Sequence, residues 1–284
     1  MKLSPYEKAS LMIKKLPQIK DFLNQTVVIK YGGNAMTNEA LKEVVIKDIV
    51  LMKFIGMNPV VVHGGGPEIT NMMKKVGKEA EFVNGLRVTD RETMEITEKV
   101  LFGKINKEIV SFMKDYGTEA ISINGKKDSM IQAKQKDPKL GFVGEVDQVN
   151  TDILEKIIAE GKIPVISPTA CGKDGETYNI NADEVAGRVA AAIGAKKLIL
   201  ITDVDGVMMD QHDTSSIISH IKTKEIRKYI EDQIIGGGMI PKIQCCFDAV
   251  TCGVEKAHII DGRKPKSMLL KIFTNESVGT MITD

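Results

Sequence analysis

Two short apolar runs, each ending in glycines, constrain this chain most. Val27-Val28-Ile29-Lys30-Tyr31 runs into Gly32-Gly33, and Val60-Val61-Val62-His63 runs into Gly64-Gly65-Gly66. A β-branched run that stops at paired glycines reads as a buried strand ending in a tight turn. Glycine lets backbone N–H groups approach a ligand, and helices after both turns would aim their positive ends at one place. Two such turns side by side would cradle an anion, and Lys30 adds a mobile cation. Together they point to phosphate chemistry. Neither run matches Gly-x-x-x-x-Gly-Lys-Ser/Thr or Gly-x-Gly-x-x-Gly, which excludes the P-loop and the dinucleotide fingerprint.

Strand and helix patterns alternate along the rest of the 284 residues. That alternation predicts an α/β fold, a three-layer αβα sandwich around a mainly parallel central sheet. Strands are expected at 27–31, 59–63, 119–123, 130–134, 142–149, 163–167, 197–201, 258–260 and 280–282. Helices are expected at 39–56, 67–76, 151–160, 182–193, 223–232 and 240–253, with 81–89 a loop or hairpin. Thr89 or Asp90 would cap one long helix to Tyr116, and Thr151 the helix after it. Ligands in such sheets bind at the carboxyl ends of the strands, where the glycine turns lie.

Residues 5–22 stand apart. Leu11, Met12, Leu16, Ile19, Phe22 and Leu23 recur at helical spacing between lysines, and Pro17 predicts a break near Lys15. This arm either docks on another subunit or folds back on its own domain. The expected division is an arm over 1–22, one lobe over 23–190 and a second over 191–284.

Lysine plus arginine total 39 against 38 acidic residues, so nothing argues for a nucleic-acid or membrane-surface partner. Cys171, Cys245, Cys246 and Cys252 lack metal-ligand spacing and are expected as reduced thiols. No stretch is long enough to span a bilayer and the first residues form no apolar signal run, so a cytoplasmic location is expected. His63, His212, His220 and His258 show no nucleophile–base pattern, and none is assigned a catalytic role.

Four further segments carry chemistry. Asn179-Ile180-Asn181-Ala182-Asp183 precedes an alanine-rich helix; it suits helix caps equally well as a carboxylate site that also orients lysines. In Gly236-Gly237-Gly238-Met239-Ile240-Pro241-Lys242 a cation sits in a first helical turn. It opposes the macrodipole there, which makes sense if an anion docks. Thr202-Asp203-Val204-Asp205-Gly206 ends a buried strand and fits a nucleotide-contacting loop better than a calcium loop. Arg87, in Asn84-Gly85-Leu86-Arg87-Val88-Thr89, could clamp a carboxylate, though from the segment alone a surface arginine is the simpler reading.

Taken in order, the two glycine turns and the Arg87, Asp183 and Lys242 segments resemble the amino acid kinase family from about Leu16 onward, as does Gly103-Lys104-Ile105-Asn106. The resemblance implies phosphoryl transfer from ATP, with Mg2+ on its phosphates, to the side-chain carboxylate of N-acetyl-L-glutamate in arginine synthesis. It implies catalytic roles for Lys30, Lys242 and Asp183. Substrate would meet Gly64, Gly65, Arg87, Asn179 and Asn181, and nucleotide would meet Gly32, Gly33, Thr202, Asp203, Gly206 and Lys242. Family members inhibited by arginine interlace dimers into a hexamer through an arm like residues 5–22, which implies a homodimer assembling further here. Gln18, Lys271 and Ser277 depart from the inhibited pattern, so arginine inhibition is expected to be weak or absent.

Overall fold

In the computed structural model, which describes residues 4–36, 38–210, 213–274 and 278–284, the two apolar runs lie at the centre of one sheet. In chain order the first strands are β1 (Thr26–Tyr31), β2 (Asn58–His63), β3 (Phe82–Val83), β4 (Leu86–Arg87) and β5 (Ala120–Asn124). Next come β6 (Ile131–Gln135), β7 (Val143–Val149), β8 (Ile163–Ser167), β9 (Thr169–Gly172) and β10 (Thr177–Ile180). The last are β11 (Lys197–Thr202), β12 (His220–Lys222), β13 (Lys256–Asp261) and β14 (Thr280–Thr283).

The main sheet has eight strands in the order β12-β14-β13-β11-β1-β2-β8-β5. Only the β13–β14 pairing is antiparallel. Continuous apolar strands are what a parallel sheet covered on both faces requires. On one face Val28, Val60, Val62 and Leu200 pack under helices Ala182–Ala192 and Met239–Thr251 through Val185, Val189, Ile243 and Cys246. On the other, Ile29, Val61 and Ile199 meet Ile46, Ile49, Ile109 and Met113 from helices Glu39–Phe54 and Lys107–Asp115. Beside the sheet, β6, β7, β9 and β10 close into a small barrel.

Several local expectations are corrected. Asp90 does cap its helix, accepting the Thr93 N–H at 2.8 Å, but the helix is not continuous to Tyr116. A π-helical segment, Leu101–Asn106, separates Arg91–Val100 from Lys107–Asp115. Thr151 does not cap the following helix. Its hydroxyl bonds Glu155 instead, and Asn150 accepts the Asp152 N–H at 3.0 Å. The helix expected from Thr223 begins as a 3₁₀ turn, Thr223–Glu225.

The arm is two helices, Pro5–Lys14 and Leu16–Phe22, broken at Lys15 with Pro17 in the second's first turn. Its end folds back: Phe22 is buried, with the Lys197 and Lys196 ammoniums 4.6 and 5.4 Å from its ring centre. Nearer its beginning, Tyr6, Ile13 and Leu16 are exposed. The side chains of Leu11 and Met12, and residues His212 and Ser277, lie outside the described residues. The four cysteines are free thiols. Among the described residues no helix is long and apolar enough to cross a membrane.

Candidate functional site

Lys30 leaves β1 and bends back over Gly32. A side chain at Gly32 would put Cβ 2.6 Å from the Lys30 Nζ, so it would push the ammonium off this path. The Lys30 ammonium lies 3.0 Å from Asp183 Oδ1. Asp183 sits in the first turn of helix Ala182–Ala192, whose N-cap Asn181 accepts the Asp183 N–H at 2.8 Å. Lys242, in the first turn of helix Met239–Thr251, donates to Asp183 Oδ2 at 2.8 Å. The two helices approach closely because Gly187 has no side chain; a Cβ there would lie 2.7 Å from the Cys245 Sγ. Cys245 in turn donates to the Asp183 carbonyl at 2.9 Å.

One carboxylate thus bridges two ammoniums, a net charge of one positive unit on two buried groups, Lys30 and Asp183, and the half-buried Lys242. Burial alone would raise the Asp183 pKa, but the Lys30 and Lys242 charges overcome it and hold the carboxyl at about 2. Asp183 is therefore ionised throughout the working range, and the surplus positive charge faces the cleft.

The second glycine turn uses its backbone. The Gly64 N–H donates to the Tyr31 carbonyl at 2.7 Å, so it is occupied within the fold. Gly65 caps the helix Gly66–Lys75, with Pro67 in its first turn. Beside the first turn, Gly33 has φ 71°, and a Cβ there would lie 3.6 Å from the Asp203 backbone nitrogen, just past the end of β11.

Arg87, at the end of the β3–β4 hairpin, is 7 % exposed. Its Nη2 donates to the Gly66 carbonyl and the Thr70 hydroxyl, both at 2.8 Å, and its guanidinium lies 4.7 Å from the Phe82 ring centre. Burial lowers its pKa. Among the described residues it pairs with no carboxylate, which leaves a buried cation with unmatched charge facing the cleft. The surface reading of Arg87 from its segment is therefore replaced by a buried one.

These groups line one cleft of about 300 Å³. It gathers Lys30, Gly32, Gly33, Gly64, Gly65, Arg87, Asn179, Asn181, Asp183 and Lys242. Asn179 enters from β10, whose Nδ2 reaches the Thr89 hydroxyl at 3.4 Å. Thr202, Asp203 and Gly206 do not line it; they stand at the carboxyl end of β11, next to β1. Gly206 has φ 143°, and a Cβ there would lie 2.7 Å from the Thr280 hydroxyl; this close approach lets the Val207 N–H donate to that hydroxyl at 2.8 Å and fasten the loop to β14. Phe82, Val143 and Pro168 also line the cleft, and no sequence motif singled them out.

No group of three or more His, Cys, Asp or Glu among the described residues is arranged to hold a metal ion. Asp183, the carboxylate in the cleft, is committed to two lysines.

Residues 25–261 match the model of the amino acid kinase family. The acetylglutamate kinase of Alkaliphilus metalliredigens is 64% identical over 283 residues, covering 100% of this chain and 90% of that protein. The acetylglutamate kinase of Pelotomaculum thermopropionicum is 54% identical, covering 98% of this chain and 99% of that one. Among solved structures, N-acetylglutamate synthase from Neisseria gonorrhoeae, complexed with coenzyme A and N-acetyl-glutamate, superposes with a TM-score of 0.85 at 20% identity. That likeness covers 97% of this chain and 63% of the synthase, and it bears on the fold alone.

Proposed function

The chain belongs to the amino acid kinase family, and on that premise we propose that it is an ATP-dependent kinase of N-acetyl-L-glutamate. A side-chain carboxylate oxygen attacks the γ-phosphorus, the bond to the bridging oxygen breaks, and ADP and N-acetylglutamyl phosphate result. Full-length relatives named acetylglutamate kinases carry the reading. The supporting geometry is Asp183 between Lys30 and Lys242, in one cleft with the glycine turns.

Phosphoryl transfer asks the protein for position and charge neutralisation rather than covalent chemistry. Lys30 and Lys242, both held by Asp183, flank the moving group and neutralise the charge that builds on its oxygens. The Gly65 N–H, with those of Gly32 and Gly33, adds donors that need not reorganise. Arg87 takes the α-carboxylate in a bidentate pair, and Asn179 and Asn181 border the acetylamino group. Gly32, Gly33, Thr202, Asp203, Gly206 and Lys242 meet the nucleotide, and magnesium bound to its phosphates supplies further charge neutralisation. The lobes over 23–190 and 191–284 would then hold amino acid and nucleotide, in a cytoplasmic enzyme. The exposed start of the arm would join homodimers into a hexamer.

Arginine inhibits weakly or not at all in this reading. Lys271 is half-buried, and burial lowers its pKa. It adds to the charge around Lys197, whose pKa falls to about 8 through burial first and then through Lys256 and Lys271. A cationic effector would meet like charge there.

The test is ADP release from ATP and magnesium with N-acetylglutamate, aspartate, glutamate or carbamate, repeated with millimolar arginine. Turnover with N-acetylglutamate alone, unchanged by arginine, is expected. Turnover with another acceptor in preference would overturn the substrate, and strong inhibition would overturn the regulatory part.

A further inference from the structure

The mechanism above leaves the π segment Leu101–Asn106 without a part, although it lies against the second glycine turn. Such insertions break helix regularity and concentrate at functional sites. Asn106 at its end is fully buried. Asn106 Oδ1 accepts the Ser122 hydroxyl, and Nδ2 donates to the Val165 carbonyl at 2.9 Å. A carbonyl can only accept, which fixes Nδ2 as the nitrogen end of the amide. The same Nδ2 lies 3.0 Å from His63 Nε2, so Nε2 accepts and carries no proton. The imidazole proton is therefore on Nδ1, which donates to the Gly64 carbonyl at 2.8 Å. Complete burial pulls the His63 pKa down to about 4, so the ring is neutral near neutral pH.

The orientation of one peptide follows. A trans peptide points its C=O and N–H in opposite directions, and no cis peptide occurs among the described residues. With the Gly64 carbonyl drawn toward the buried imidazole, the Gly65 N–H faces the other way, toward the cleft. The turn cannot swing back, because the Gly64 N–H is bonded to Tyr31. Leu101 and Ile105 of the π segment also press on Gly65, where a Cβ would lie 2.5 Å from each.

We propose that His63 and Asn106 are positioning residues, and that the relay Asn106–His63–Gly64 aims the Gly65 N–H at the phosphoryl group in transfer. This rests on the phosphoryl-transfer reading given above. A donor fixed before the reaction stabilises developing charge without reorganising. Burial alone does not produce this wiring. His258 is just as buried, and neither of its ring nitrogens has a hydrogen-bond partner among the described residues.

Two measurements test the relay. The first is ¹⁵N NMR of the His63 ring in the unaltered full chain without substrates. One neutral tautomer, protonated at Nδ1 from about pH 6 to 9, is expected. A ring protonated at Nε2 overturns the relay whatever reaction the protein catalyses, so it fails separately from the kinase reading. The second is kinetic, with circular dichroism confirming the fold. His63→Leu removes the donor, and kcat should fall about a hundredfold with both KM values within about threefold. His63→Asn, whose amide can donate from near the Nδ1 position, should recover most of kcat. His63→Gln, whose amide reaches toward Nε2 instead, should not. A folded His63→Leu with kcat within about threefold of the unaltered enzyme overturns the proposal. If the leucine variant does not fold, equal kcat for the asparagine and glutamine variants overturns it.

Discussion

Two ion triads in this chain are mirror images in charge. At the cleft the carboxylate of Asp183 sits between the ammoniums of Lys30 and Lys242. On the outer face the ammonium of Lys42 sits between the carboxylates of Glu39 and Glu108. Both central groups are buried, and in both the pairing outweighs burial: the Asp183 pKa is lowered and the Lys42 pKa raised. They differ in origin and surroundings. Glu39 lies three residues before Lys42 in the same helix, its side chain 75% exposed, and Glu108 ties that helix to Lys107–Asp115. The three cleft residues come from a strand end and two helix starts, and they share a cavity with glycine turns and Arg87. A buried triad is thus not a site in itself. What marks the cleft triad is a surplus of positive charge directed at open space.

The largest effect that would sharpen this contrast is Asp183→Asn. It leaves the buried Lys30 ammonium and the half-buried Lys242 ammonium without their counter-charge, and activity should fall by about a thousandfold. The same variant reports on stability against pH. The folded pKa of Asp183 is about 2, below an ordinary value of about 3.9. Its contribution is therefore fully present above about pH 4 and lost as pH falls toward 2. The Tm advantage of the unaltered chain over Asp183→Asn should be constant above that window and shrink within it. An advantage that shrinks at higher pH would reassign the titration.

Arg87→Ala comes next. Loss of a charged bidentate contact should raise the KM for the amino acid about tenfold or more, with kcat less affected. An unchanged KM would place the α-carboxylate elsewhere. Lys42→Met should have the smallest effect, since water solvates the freed carboxylates of the exposed Glu39 and the half-exposed Glu108: stability within about 1 kcal/mol and activity within about twofold. A large loss of activity in that variant would erase the distinction between the two triads.

Much of the fold was legible because buried parallel strands advertise themselves. β1, β2, β8 and β11 are continuous apolar runs with turn residues after them. β9, β10 and β12 were not, being three or four residues long, and neither was helix Ser267–Phe273. The π segment escaped because an insertion of this kind leaves the apolar rhythm nearly intact. In the site, Lys30 and the glycines were legible from the strand ends. The joining of Lys30 to Asp183 was not, because no periodicity links a strand at 30 to a helix at 183; the ordered set of segments supplied it. Arg87 alone looked like a surface residue, since its burial depends on helix Gly66–Lys75, whose Gly66 carbonyl, Thr70 and Met73 meet it only in the fold. His63 carried no catalytic signature, because its partner Asn106 is brought to it only by the fold.

Turnover of Lys242→Ala with ATP, magnesium and N-acetylglutamate tests the central claim most directly. Lys242 is a cleft cation whose removal leaves Asp183 still paired with Lys30, so the fold should persist by circular dichroism. The expected result is a kcat lowered about a hundredfold or more, with the KM for the amino acid little changed. A folded variant that turns over at nearly the unaltered rate would remove Lys242 from the reaction and contradict the account.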